Sequence, residues 1–115
     1  MPTIVPFEEH HSPGVRSLIG SVFAEYSMTL DPAGYDADLT RITAAYRQTG
    51  GAFWVLEAGG RVVGTVAVVP LSVDEAEIKR VYLEASLRGQ GWGRALIEHA
   101  LGWAGLRRCR RVRLW

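Results

Sequence analysis

Two runs rich in β-branched and aromatic residues, AFWVLEA (52–58) and RVVGTVAVVPL (61–71), are separated only by Gly59 and Gly60. Two glycines between such runs make a tight β-hairpin, because both turn positions of the favoured hairpin turn need positive φ. The runs therefore pair antiparallel. After an acidic turn at Asp74 and Glu75, AEIKRVYL alternates as a third strand. Strict alternation points Ile78, Arg80 and Tyr82 one way and Glu77, Lys79, Val81 and Leu83 the other. Next come EAS, the glycine-rich RGQGWG (88–93), a helix predicted over Trp92 to Ala104, and RVRLW as a last short strand. Strand, loop, helix, strand implies a right-handed crossover between parallel neighbours.

The segment before the hairpin adds one strand and two helices. TIVPF is a short β-branched run, and Ser12 followed by Pro13 suggests a helix N-cap and first turn. Val15, Leu18, Ile19, Val22, Phe23 and Tyr26 then recur on one helical face. MTLDPAGYD is loop-like, and Asp36 to Gln48 reads as a second helix with Leu39, Ile42 and Tyr46 on one side, stopped by Gly50 and Gly51. The order β-α-α-β-β-β-α-β predicts an α/β (α+β) fold: a mixed, mostly antiparallel twisted sheet with one parallel pair and flanking helices. No repeat or linker divides the 115 residues, which suit a single domain.

Composition narrows the function classes. The apolar runs are too short to span a bilayer, and MPTIVPFEEHH lacks the basic and apolar regions of a secretion signal, so the expected compartment is the cytoplasm. One cysteine, Cys109, excludes an internal disulfide. A net charge of +1 argues against nucleic acid as a partner of the whole chain, although RRCRRVR (107–113) is a local positive run. His10 and His11 follow Glu8 and Glu9, but adjacent residues seldom converge on one ion, and no metal is expected. His99 is expected on the exposed side of its helix, Trp54 and Trp103 in the core, and Trp92 beneath the glycine loop.

The glycine loop leads into a helix N-terminus, whose unpaired N–H groups and partial positive charge suit an anion, phosphate above all. The nucleotide P-loop is excluded, since no lysine and hydroxyl pair follows Gly93. The dinucleotide fingerprint is excluded because its third glycine would come one position too soon and the next strand is arginine-rich. The protein-kinase loop lies within a hairpin rather than before a helix. What remains is R-x-x-G-x-G, filled by Arg88, Gly91 and Gly93.

With this motif, AEIKRVYLEASLRGQGWGRALIEHAL resembles the acetyl-CoA-binding core of the GCN5-related N-acetyltransferases, the GNAT superfamily, and the element order from about Thr3 onward fits that fold. The resemblance implies a cosubstrate, acetyl-CoA, whose pyrophosphate would lie on the backbone N–H groups of Arg88, Gly89, Gln90, Gly91, Trp92, Gly93 and Arg94. Main-chain groups of Val81, Tyr82 and Leu83 would hold the pantetheine arm, and an N–H there would polarise the thioester carbonyl. Glu77 stands where some members carry a glutamate, and is the candidate general base for a primary-amine acceptor.

Members of the superfamily generally continue with a further helix and two strands that wall the acceptor cleft and carry a tyrosine acid, whereas this sequence stops at Trp115. Tyr26, Tyr35, Tyr46 and Tyr82 all lie upstream of that segment. The expectation is a C-terminally short acetyltransferase, completed as a homodimer or compromised in activity. Two alternatives stay open at this point: a non-catalytic acyl-CoA-binding or regulatory domain, and an interaction module using the last strand and the arginine run.

Overall fold

The computed structural model describes residues 1–114; Trp115, the last residue of the expected final strand, lies outside them. Five strands form one sheet in sequence order: β1 (Thr3–Pro6), β2 (Ala52–Ala58), β3 (Arg61–Pro70), β4 (Glu75–Leu83) and β5 (Arg111–Leu114). The first four pair antiparallel, and β4 pairs β5 in parallel, as the element order predicts. Gly59 and Gly60 close the β2–β3 hairpin at φ 57° and 77°, the left-handed region that the two-residue turn needs.

Helix α1 (Ser12–Glu25) covers one face of the sheet and α2 (Trp92–Leu106) the other. Alternate residues of β2 serve the two layers: Phe53 and Val55 pack with Val15 and Ile19, while Trp54 and Leu56 pack with Leu96 and Ala100. Each fully buried Leu, Ile, Val or Phe contributes about 1.5–3 kcal/mol relative to exposure, so the two layers supply most of the drive to fold.

Three local expectations are corrected. Ser12 is the first residue of α1 rather than its cap; a 3-10 turn, Glu9–His11, leads into the helix, and the Ser12 hydroxyl accepts a hydrogen bond from Arg16. The helical face ends before Tyr26, which is 69% exposed because Ser27 leaves the helix at φ 57°. The second helix is broken into a 3-10 turn, Ala37–Thr40, and a π-helical turn, Thr43–Arg47. Leu39, Ile42 and Tyr46 are nonetheless buried together, so the apolar spacing marks the packed face while the helix type follows from tertiary demands.

The correction with most consequence lies in β4. Thr65 of β3 faces Tyr82 and Ala67 faces Lys79, which leaves Val66 opposite both Arg80 and Val81. This is a β-bulge, and Arg80 sits in it at φ 57°. One extra residue inverts the alternation beyond it. Ile78 packs into the α2 layer, whereas Tyr82 packs against Phe23 of α1, and Val81 and Leu83 turn to the α2 side. Glu77, Lys79, Arg80 and Tyr82 thus share a face, and Glu77 does not lie opposite Arg80 as strict alternation requires.

Candidate functional site

The glycine loop enters α2 through two left-handed residues, Gly89 at φ 79° and Gly91 at φ 90°. At these positions a side chain would strain the backbone. Gly93 is different, for it lies in the first helical turn, and a Cβ there would meet nothing within 4 Å. No contact within the chain calls for glycine at that position, and the space above it is open.

The N–H groups of residues 89–94 find no backbone acceptor among the described residues; the first bond of the helix runs from Ala95 N–H to the Gly91 carbonyl, and no side chain caps the end. Gln90 instead donates its side-chain amide to the Ser86 carbonyl. The Arg88 N–H differs from expectation: it donates to the Ala85 carbonyl, closing a short 3-10 turn, and is not free for an anion.

The Arg88 side chain makes a clamp. Its guanidinium donates to both carboxylate oxygens of Glu25, at 2.6 and 2.9 Å, and to the Leu83 carbonyl at 3.1 and 2.9 Å. The end of α1, the end of β4 and the start of the loop are thereby joined. Hydrogen bonding to Arg88 holds the Glu25 carboxyl below its usual value and raises the arginine.

Beside this loop, β4 has an open edge. The parallel pairing with β5 covers Glu75 to Ile78 only, so residues 79–83 have a strand neighbour on the β3 side alone among the described residues. Val81, Tyr82 and Leu83, expected from the sequence, line a recess of about 340 Å³ with Val22, Tyr26 and Arg88. Lys79, Arg80, Glu77 and Tyr35 line a second recess of about 270 Å³, and Tyr82 lines both.

The bulge is fixed from below by groups that the sequence reading did not assign. Arg80 donates to Asp38 from Nε at 3.0 Å and from Nη2 at 2.6 Å, and the Tyr46 hydroxyl donates to the same carboxylate. Asp36, 3% exposed, approaches Arg80 Nη2 at 3.1 Å through an oxygen that has no hydrogen-bond partner, while its other oxygen accepts the Asp31 N–H. The Arg80 carbonyl, displaced from the ladder by the bulge, accepts from the Thr65 hydroxyl at 2.8 Å. Burial opposes the charge on Asp38, but hydrogen bonds from Arg80 and Tyr46 prevail and its carboxyl lies below the usual value. Burial, with the neighbouring Asp38 carboxylate, pushes the Tyr46 hydroxyl well up. Burial also opposes the charge on Arg80, yet the carboxylate holds it firmly protonated. A sequence signal existed for this cluster, since an arginine inside an apolar strand needs a counter-charge when buried. Its partner, 42 residues away, could not be named from spacing.

The remaining candidates separate from this site. His10 and His11 meet Glu57 rather than Glu8 and Glu9, with ligand-type atoms within 4.8 Å of one another. His11 Nδ1 accepts the Glu8 N–H at 2.9 Å, which leaves Nε2–H to donate to Glu57 at 2.7 Å. Both ring nitrogens are thus committed to holding the N-terminal turn against β2. Trp54 is buried, His99 is exposed with its ring edge on Trp54, and Trp92 packs in the α2 layer. The arginine run divides: Arg107 lies over the Trp103 ring at 3.9 Å, and Arg113 pairs with Glu75 at 3.6 Å.

Comparison with known proteins gives this geometry a context. The family model described as the acetyltransferase (GNAT) family matches residues 19–115. The uncharacterised N-acetyltransferase YjgM of Escherichia coli K12 is 35% identical over 107 residues, covering 85% of this chain and 64% of that protein. N-acetyltransferase family 8 member 2 of Rattus norvegicus is 38% identical over 73 residues, 59% of this chain and 32% of the relative. The chain therefore spans between about one third and two thirds of the length of these relatives. Among solved structures, a GNAT-family acetyltransferase from Staphylococcus aureus Mu50 superposes with a TM-score of 0.91 at 19% identity, covering 99% of this chain and 73% of that one. An acetyltransferase from Clostridium acetobutylicum with acetyl-CoA gives 0.79 at 16% identity, covering 100% and 80%. The match of the family model across most of the sequence means that this chain belongs to the GNAT acetyltransferase family.

Proposed function

We propose that this chain is the acetyl-CoA-binding part of an N-acetyltransferase that moves an acetyl group to a primary amine by direct attack. The observation that carries the reading is the run of unpaired N–H groups at residues 89–94, set beside the unpaired edge of β4. A pyrophosphate on those N–H groups would complete the helix end, with Gly93 leaving space for its oxygens. The pantetheine arm would run along Val81, Tyr82 and Leu83 as an added strand. The acetyl-CoA in the C. acetobutylicum structure, on the same fold, supports this choice of ligand.

Acetyl-CoA supplies an activated thioester carbonyl, and the residues of the chain provide the setting for its attack. A main-chain N–H at the bulge, near Val81, would receive the developing oxyanion, a role worth about 3 kcal/mol in other acyl-transfer sites. The acceptor amine must lose a proton, because less than roughly one in a thousand ordinary lysine-type amines is neutral at pH 7. Glu77 takes that proton, directly or through water, from the recess that Tyr82 shares with the coenzyme side. No serine or cysteine is needed as a covalent relay in this scheme: the amide N–C bond forms, the thioester C–S bond breaks, and the released thiolate takes a proton from solvent.

Isothermal titration with acetyl-CoA tests the coenzyme half, and thiol release with a panel of amines tests the transfer half. A folded protein giving no heat with millimolar acetyl-CoA would overturn the reading.

A further inference from the structure

The acceptor recess contains charges that direct attack on an amine does not use. Arg80 lies over two carboxylates, Asp38 and Asp36, and Lys79 also acts on Asp38 through its charge. Lys79, the one lysine of the sequence, lines the same recess and has no carboxylate within 4 Å among the described residues. It is separated from Glu77 by two positions on one strand face, roughly 7 Å along the backbone.

The adjacent strand extends this pattern. In the parallel register Arg111 stands beside Glu75 and Arg113 beside Glu77. Val112 packs into the α2 layer, so both arginines point to the opposite face, which is the face of Glu77 and Lys79. Arg113 reaches Glu75, while Arg111 is exposed and pairs with no carboxylate among the described residues. With Arg80, Asp36 and Asp38 included, this face carries four cations against four carboxylates, but Lys79 and Arg111 make no ion pair among the described residues. The C-terminal arginine run thus divides by strand face, and Arg111 and Arg113 share the face of Glu77 and Lys79 without lining the recess itself.

We infer that the acceptor is an amine whose other end is anionic, a carboxylate or a phosphate, with its amino group at Glu77 and its anionic group held by Lys79 and the Arg111–Arg113 face. This rests on the acetyltransferase reading above and names its substrate class. An acceptor with both groups satisfies both of the unpaired charges in the recess. A neutral amine would leave the ammonium of Lys79 unused, and a polyamine would place a second positive charge against it. Long, flexible Lys79 and exposed arginines admit either a planar carboxylate or a phosphate, so matched probes are required for each.

The test compares pairs of amines that differ only in the anionic group: β-alanine against its amide, and phosphoethanolamine against ethanolamine. Thiol release gives kcat/KM for each, and thermal shift without coenzyme gives binding independently of turnover. The anionic member of at least one pair should be favoured, and Lys79→Ala should reduce that preference by about tenfold, mostly through KM, as expected for one lost charge-assisted hydrogen bond. Lys79→Glu should reverse it. A preference for β-alanine identifies the carboxylate, and one for phosphoethanolamine the phosphate. Equal use of both members of each pair, a preference that Lys79→Ala leaves unchanged, or neither binding nor turnover of the anionic probes would overturn the inference. Failure of acetyl-CoA to bind by calorimetry would remove the underlying reading as well, which separates the two outcomes.

Discussion

Replacing Asp38 by Asn is the sharpest perturbation of the support under β4. The carboxylate accepts two hydrogen bonds from Arg80 and one from Tyr46, and Arg80 is 7% exposed. Asparagine removes the charge and places an amide donor against the guanidinium of Arg80, which can only donate. Asp36 would remain as counter-ion, at 3.1 Å but without a hydrogen bond to the arginine. Breaking such a buried pair from one side costs about 3 kcal/mol, a large part of the stability of a domain of this size. Calorimetry should then show Tm lower by roughly 10–20 °C. The pH dependence gives a second signature. Because the Asp38 carboxyl ionises below its usual 3.8 when folded, the pair stabilises the fold above that value, and this contribution is lost as pH falls through 3.8 towards the lower folded value. Asp38→Asn should lack that acid-dependent loss, which is read by urea melts at several pH values. A variant melting within about 2 °C of the unmodified protein, or one with the same acid dependence, would refute the assignment of Arg80's charge balance to Asp38.

The same cluster and the loop above it respond in other measurable ways. Arg80→Gly and Arg80→Ala both delete the ion pair, but glycine accepts φ 57° without strain, so the glycine variant should be more stable by about 1 kcal/mol in denaturant melts. Tyr46→Phe should flatten the alkaline loss of stability: the raised hydroxyl stabilises below the unfolded value of 10.0, and that contribution disappears as pH rises above it. Gly93→Ala separates fold from ligand, since alanine in a helix is worth up to about 1 kcal/mol. It should raise Tm while weakening acetyl-CoA binding by calorimetry, and unchanged binding would place the coenzyme elsewhere. Glu77→Gln should lower kcat by about 100-fold or more with calorimetric acetyl-CoA affinity retained.

The parts of this molecule legible in the sequence are those governed by near neighbours. Gly59 and Gly60 define the hairpin because the turn's backbone angles depend on two residues alone. The loop before α2 is equally local, and its departure from the nucleotide templates could be read by counting positions. Asp36 to Gln48 shows where local reading stops. The spacing of Leu39, Ile42 and Tyr46 identified the buried side, but the chain there takes 3-10 and π-helical turns instead of an α-helix. Those turns present Asp36, Asp38 and Tyr46 to Arg80, a requirement imposed from 42 residues away.

The recess proposed for the acceptor depends on that distant requirement. A strand has a period of two, so a single extra residue moves every later side chain to the other face. The bulge at Arg80 and Val81 does this in the middle of AEIKRVYL, and no local feature of that stretch announces it, since arginine has no preference for a positive φ. Glu77 therefore looked remote from Tyr82 and Arg80 in the alternating pattern, although all three line one recess. The counter-charge at Asp38 secures Arg80 on the α1 side, and the inverted alternation carries Tyr82 there with it. The open edge of β4 and the recess of Glu77 and Lys79 are thus brought together by a bulge that a buried ion pair helps to hold, and that pair forms between β4 and the turns before β2.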